Sequence, residues 1–264
     1  MVYAGIDVGS LSAEAVLLRN GTILAYSILP TGANSRGAAE RALDEALEKA
    51  GIRQDDIAAT VATGYGRINV PFAARQVTEI SCHARGVTHL FPDARTVIDI
   101  GGQDSKAIRV APGGKVLDFA MNDKCAAGTG RFLEVMARAL EVELAELGNL
   151  ALEARKAAAI SSMCTVFAES EVVSLIAQGV PRDEIARGLC NAVAERIANL
   201  VHRVGLEPQV VMTGGVAKNA GVVRAIEEKL GERLVIPPEP QITGALGAAL
   251  LAEETATTNS NSNI

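Results

Sequence analysis

The sequence predicts an α/β fold of two related halves, each a β-hairpin sheet followed by helices. Three observations predict it. Apolar residues of period 2 and period 3.6 alternate along the chain. The string Ile6-Asp7-Val8-Gly9 returns as Ile98-Asp99-Ile100-Gly101, 92 positions later. After both strings come a polar turn, a second strand, a glycine-containing turn and a third strand. Internal duplication is the economical reading, and strands interspersed with helices imply mixed sheets. The 264 residues, 48% apolar and 21% charged, are enough for two cores of roughly 130 residues each. The halves are placed at 1–95 and 96–252, and the apolar-poor segment 253–264 is expected to be a disordered tail.

The first half opens with a strand from Ala4 that ends in Asp7-Val8-Gly9, then a strand near Ala13 to Leu18. Asn20-Gly21, a strong hairpin signal, leads into a third strand, Ile23 to Ile28. A helix is expected from about Gly37 to Ala50, capped by Ser35 and stopped by Gly51. A strand from Ile57 to Ala62 and a helix from about Val77 to Leu90 complete this half. The second half repeats the opening with Thr96 to Ile100, Lys106 to Val110, the Gly113-Gly114 turn and Val116 to Phe119. Helices follow near Gly130 to Val142, Phe167 to Ala177 and Pro181 to Val204, the last with Ile185, Leu189, Val193, Ile197 and Val201 on one stripe. A strand from Gln209 to Met212, a helix near Asn219 to Leu230, a strand from Leu234 to Ile236 and an apolar helix from Thr243 to Ala252 close the pattern.

Composition excludes several functions. With 25 Lys+Arg against 31 Asp+Glu, 3% aromatic residues and no Trp, the chain offers neither a phosphate-neutralising surface nor stacking platforms, so no nucleic acid is expected as a partner. The most apolar stretch, Ile160 to Val180, carries Glu169 and Glu171, and the start has no basic region, so no membrane span is expected and the location is read as cytoplasmic.

Each hairpin copy puts an acid at the end of a buried strand, followed by glycine and hydroxyl or amide groups: Asp7-Val8-Gly9-Ser10-Leu11-Ser12 and Asp99-Ile100-Gly101-Gly102-Gln103-Asp104. Glycine lets backbone N–H groups approach an anion closely, and a strand-tip carboxylate holds Mg2+ through water. One such loop alone is equally an ordinary turn; repetition at a fixed offset favours a polyphosphate. The turn Thr213-Gly214-Gly215-Val216-Ala217 suits approach to a nucleoside, or is a plain strand-to-helix connection. Neither a P-loop nor a dinucleotide fingerprint is present. The duplicated loops and the late Thr-Gly-Gly turn resemble the actin, sugar-kinase and Hsp70 ATPase superfamily. That resemblance implies two ribonuclease-H-like halves with a nucleotide cleft between them. It makes Asp7 and Asp99 the phosphate-loop acids, and Gly244 to Ala249 a helix where the halves pack.

Four cysteines, Cys82, Cys125, Cys164 and Cys190, lack any C-x-x-C spacing, which argues against a zinc finger or thioredoxin-like motif. Cys125 and Cys164 each stand just before a helix, where N–H groups and the positive dipole end stabilise thiolates and cluster sulfides; Gly128 and Gly130 are expected to leave further amides unshielded. An iron–sulfur cube needs four thiolates, so two per chain suggest a cluster shared across a twofold axis. Cys82 and Cys190 could instead complete a set within one chain, although both read as packed small hydrophobes.

Gly5 to Ser10, Ala62 to Arg67, Val97 to Asp104, Met121 to Phe132, Cys164 to Val172 and Met212 to Ala217 together resemble one family. It is that of the activators (component A) of 2-hydroxyacyl-CoA dehydratases, with benzoyl-CoA reductase ATPase subunits and double-cubane-cluster protein reductases as relatives. The resemblance runs from Tyr3 to Ala252. It implies a homodimer with one bridging [4Fe-4S] cluster on Cys125 and Cys164 of both copies, reduced by a ferredoxin or flavodoxin. Using MgATP and releasing ADP, such a dimer passes a low-potential electron to a partner iron–sulfur dehydratase or reductase, its halves changing angle as they do so. Asp7, Asp99, Gln103 and Asp104 are implied to organise Mg2+ and the attacking water. Nucleotide contacts fall to Gly9, Ser10, Leu11, Ser12, Ala13 and Glu14, to Gly101, Gly102 and Lys106, to Gly214, Gly215 and Ala217, and to Gln241. One departure stands out: where the family has a lysine closing the first loop, this chain has Glu14. Either Mg2+ and backbone amides suffice, with Lys106 helping, or ATP binds differently. A small-molecule kinase on the same scaffold would explain the loops but not the cysteines.

Overall fold

The computed structural model describes residues 1–161 and 164–261, with side chains through Ala256. In chain order the strands are β1 (Val2–Val8), β2 (Ser12–Arg19), β3 (Thr22–Pro30), β4 (Ile57–Thr63), β5 (Arg75–Gln76), β6 (Thr96–Ile100), β7 (Ser105–Val110), β8 (Val116–Asn122), β9 (Val210–Thr213) and β10 (Leu234–Val235). The helices are α1 (Ser35–Ala50), α2 (Glu79–Leu90), α3 (Gly130–Ala139), α4 (Leu144–Glu153), α5 (Thr165–Ala177), α6 (Arg182–Val204), α7 (Ala220–Leu230) and α8 (Thr243–Asn261). They form two compact units, Met1–Val97 with Val110–Leu117 and the chain from Pro237 onward, and Ile98–Arg109 with Asp118–Ile236.

The first unit holds a sheet of order β3-β2-β1-β4-β5, with β1 antiparallel to β2 and parallel to β4. Asn20 and Gly21, both at positive φ (52° and 71°), turn β2 into β3 as a two-residue hairpin demands. The central strands are buried on both faces. Ala15 and Leu17 pack with Ala38, Ala42 and Ala46 of α1, while the alternate residues Val16 and Leu18 pack with Ala245, Leu246 and Ala249 of α8. The cap of α1 is Asn34, whose Oδ1 accepts the Gly37 N–H at 3.0 Å, and not Ser35, whose hydroxyl accepts from Asn69. Gly51 does stop the helix, in the left-handed conformation.

The second sheet has the order β10-β9-β6-β7-β8, which is the first sheet's order repeated copy for copy. The duplication read from the sequence is therefore a duplication of topology. Helices α3 to α7 join it in one core, where all five residues of the α6 stripe lie beside Phe132, Leu133, Met136 and Met212. Helix α4 and strand β5 have no counterpart in the sequence reading.

The chain division departs from 1–95 and 96–252 in two places. The Gly113-Gly114 turn lies against Ala84 and Arg85 of α2, and α8 returns to the first unit, where its small residues allow backbone contact. A Cβ on Gly5 of β1 would strike the Ala245 carbonyl, and one on Gly247 would strike the Cys82 carbonyl of α2. The run Gly244 to Ala249 thus serves packing within this unit. Nor does the chain become a disordered tail after Ala252. Helix α8 continues to Asn261, with Glu253 accepting the Gly21 N–H and Glu254 paired with Arg85 at 2.6 Å. Residues 262–264 lie outside the described residues. Among the described residues no helix is long and apolar enough to cross a membrane.

Gly247→Ala should destabilise the protein by about 3 kcal/mol in urea unfolding, because two backbones must separate. Gly51→Asn, at an open left-handed cap, should cost less than about 1 kcal/mol. Equal effects would contradict the packing described.

Candidate functional site

In the second unit the strand-end acid Asp99 is 3% exposed and Lys106, on the neighbouring strand β7, is 1% exposed. The ammonium lies 3.1 Å from Asp99 Oδ2 and 2.8 Å from Asp104 Oδ2, while Thr213, at the end of β9, donates its hydroxyl to Asp99 Oδ1 at 3.0 Å. The loop between them closes by the Gly101 N–H on the Asp104 carbonyl, leaving Gln103 exposed at its tip. Gly214 follows Thr213 at φ 83°, and a Cβ there would collide with the Ile100 carbonyl and stand 2.8 Å from Asp99 Oδ1. Gly215 opens a short turn whose Val216 and Ala217 are buried. Lys106 is thus held by carboxylates rather than presented to solvent.

The first unit repeats the backbone of this arrangement and alters its side-chain contacts: Thr63 Oγ1 makes no hydrogen bond corresponding to that of Thr213. Asp7, 8% exposed at the end of β1, has Thr63 of β4 as its register partner. Gly64, at φ 85°, would push a Cβ into Asp7 Oδ1 and the Val8 carbonyl. Thr63-Gly64 and Thr213-Gly214 are therefore equivalent, a correspondence the sequence reading missed although the dipeptide is legible. Opposite Asp7 in register stands Glu14, 4% exposed, seven residues after the acid just as Lys106 follows Asp99. Ala13 and Glu14 belong to buried β2, whereas Gly9, Ser10 and Leu11 form the loop, closed by the Gly9 N–H on the Ser12 carbonyl and braced by Thr31 on Gly9 and Leu11. Asp7 and His83 of α2 both border Gly244: the point where a Gly244 Cβ would stand touches Asp7 Oδ2 and lies 3.1 Å from His83 Nε2. Gln241, in a short turn before α8, lies in this unit, with its N–H on Glu239.

The cysteines divide by accessibility. Cys82 and Cys190 are buried, and desolvation pushes both thiols up to about 12. Cys125 is half-buried. Burial pushes its thiol up, but the Ala127 N–H and the Arg196 guanidinium, whose Nη2 is 3.3 Å from the sulfur, outweigh this and leave it below the usual thiol value. Asn122 donates its side-chain amide to the carbonyls of Cys125 and Ala127. Cys125 precedes α3 by five residues, and the expected free amide at Gly130 is engaged: Gly130 and Arg131 donate their N–H groups to the carbonyls of Gly101 and Gly102, each at 2.9 Å. The glycine loop and the head of α3 thus share a hydrogen-bonded seam. Cys164 is exposed as the N-cap of α5, which packs on α3; Ser162 and Met163 before it lie outside the described residues. Val166, Phe167 and Val173 of α5 are exposed.

An iron–sulfur cluster needs accessible sulfurs that ionise, and only Cys125 and Cys164 among the four have that accessibility. Among the described residues no group of three or more His, Cys, Asp or Glu is placed to hold a metal, so one chain does not assemble a full ligand set there. The residues fit a contribution of two thiolates per chain. Arg196 carries no signal in the sequence, since it meets the Cys125 sulfur across 71 residues of chain.

The sequence profile of the BadF/BadG/BcrA/BcrD ATPase family matches residues 4–252. The chain belongs to this ATPase family. An activator of lactoyl-CoA dehydratase from Anaerotignum propionicum is 56% identical over 97% of this chain and 99% of its own length. The structure of the activator of 2-hydroxyisocaproyl-CoA dehydratase from Clostridium difficile, with bound ADPNP, is 44% identical, with a TM-score of 0.94 over 99% of this chain and 98% of that one. The ROK hexokinase of Thermus thermophilus, at 19% identity and a TM-score of 0.54 over 97% of this chain and 99% of its own, shares the fold alone. The ATPase-family chain thus has the actin-like architecture expected from its duplicated loops.

In the folded, iron-free protein iodoacetamide should label Cys125 and Cys164 and spare Cys82 and Cys190, with labelling of Cys125 setting in at lower pH than for an ordinary thiol; peptide mass mapping reads this. Labelling of native Cys190 would contradict its burial. Lys106→Met should lower stability by about 3 kcal/mol in urea, because two carboxylates lose their shared cation, and adding Asp99→Asn should restore part of it.

Proposed function

We propose that the chain is the ATP-hydrolysing activator of an iron–sulfur 2-hydroxyacyl-CoA dehydratase. It acts as a homodimer in which Cys125 and Cys164 of both copies hold one [4Fe-4S] cluster. The observation that carries the reading is the seam within the second unit: the carbonyls of Gly101 and Gly102, in the acid-bearing loop, receive the first N–H groups of the helix that follows Cys125. Relatives named as dehydratase activators support it along nearly their whole length.

The loop amides of Ser10 and Leu11 and of Gly102 and Gln103 would bind phosphate oxygens, and the glycines bring backbone donors close. In each unit the strand-end acid, Asp7 or Asp99, would hold Mg2+ through its water, and Lys106 and Thr213, one on each oxygen, fix the orientation of the Asp99 carboxylate. Gln103, at the exposed loop tip, and Asp104 orient the attacking water. The Gly214-Gly215 turn admits the nucleoside. When bound, Mg2+ neutralises phosphate charge and the cluster supplies one-electron transfer to the partner, the electron coming from a ferredoxin or flavodoxin. A shift of the 101–104 loop as phosphate leaves is passed to α3 through the two hydrogen bonds, and from there to the Cys125 segment. The exposed Val166, Phe167 and Val173 beside Cys164 suit burial against a second copy.

Purified without oxygen, the protein should carry about four irons and four sulfides per dimer. Cys125→Ala and Cys164→Ala should remove the chromophore and leave ADP binding intact, and Asp99→Asn should do the reverse. A colourless protein that phosphorylates a sugar would overturn the reading.

A further inference from the structure

Arg196 stands near the middle of α6 and lies in contact with Cys125, 71 positions away in sequence. Its neighbours Val193, Ala194, Ile197 and Ala198 are buried in the core of the unit, so the helix fixes where the arm starts. Its aliphatic stem passes under Gly128, where a Cβ would come within 3.1 Å of Arg196 Cγ and 3.3 Å of Cβ and Cδ. Gly128 is at φ 85°, so both the turn and the passage of the arginine require glycine. The guanidinium ends 3.3 Å from Cys125 Sγ, while the Asn122 side-chain amide donates to the carbonyl of Cys125 itself and to that of Ala127. The sulfur is thereby held by a charged donor on one side and a clamped backbone on the other.

Resting on the cluster reading above, we propose that Arg196 is a positioning residue for the Cys125 ligand and sets the reduction potential of the cluster held there. The physical basis is charge. Reduction adds one electron, delivered by an external one-electron donor, and no bond forms or breaks. The added negative charge spreads onto the sulfur ligands, and a cation hydrogen-bonded to one of them stabilises the reduced form over the oxidised one. Because the pair is half-buried, water screens it incompletely. In a homodimer two such arginines face the shared cluster, so the effect acts twice. The arrangement also holds Cys125 in one orientation, which opposes loss of iron.

The test compares the cluster-loaded wild type with Arg196→Met, which keeps the stem and removes the charge, and Arg196→Lys, which keeps the charge. Midpoint potentials come from titration with a one-electron reductant followed by electron paramagnetic resonance, and iron loss from the rate of bleaching by a chelator. Arg196→Met should bind the same iron at a more negative midpoint and release it about tenfold faster. Arg196→Lys should stay near the wild-type potential. Should Arg196→Met fail to load iron, Arg196→Gln, with a neutral donor, should show the same negative shift. An iron-loaded neutral variant with the wild-type midpoint overturns the role of Arg196 and leaves the function standing. A wild type that binds no iron overturns the cluster reading and this inference with it.

Discussion

The carboxylate at the inner end of a central strand is the constraint on which both units are built. A carboxylate buried as deeply as Asp99 costs several kcal/mol unless cations and donors meet it. Lys106 and Thr213 meet both its oxygens, which is why a lysine can be 1% exposed and why the parallel neighbour ends in threonine. The residue after that threonine must then turn away at positive φ without a Cβ, because the acid and the next carbonyl occupy the space. The acid and the left-handed glycine beside it recur in each unit, whereas the threonine hydrogen bond to the acid is made in the second.

The two copies solve the charge differently. Seven residues after the acid, the second unit has a lysine and the first has Glu14, opposite Asp7 in register and equally buried. Two carboxylates on paired strands repel, so the first unit depends more on other groups around Asp7, and His83 borders the same Gly244 as that carboxylate. The second unit adds five helices and two accessible cysteines to the shared sheet, whereas the first spends its glycines on bringing α8 against β1 and α2. Divergence after duplication has thus separated a densely packed half from one that carries redox-capable side chains.

The seam between Gly101-Gly102 and the head of α3 has a suitable scale for communication. Each hydrogen bond contributes on the order of 1 kcal/mol net, and coupling between sites is commonly about 1–3 kcal/mol. Two such bonds, on N–H groups that a helix leaves without partners inside its own first turn, couple loop and helix without locking them. The same engagement explains why Cys125 draws on Ala127 and Arg196 for its stabilisation rather than on the free end of a helix dipole.

The sequence by itself determined whatever repeats within a few residues or is copied whole. The duplicated Asp-x-Gly hairpins, the Asn20-Gly21 turn and the α6 stripe are local patterns, and the sequence reports them directly. The cysteine contexts were legible for the same reason. Tertiary structure decided the rest: the cap at Asn34, the return of α8 to the first unit and its extension to Asn261, the engagement of the Gly130 amide, and Arg196 at Cys125. Apart from the Asn34 cap, whose partner Gly37 is three residues on, each of these depends on one donor, one acceptor or one missing Cβ meeting a partner far along the chain. A single contact of that kind has no period, so only the folded backbone can bring it about.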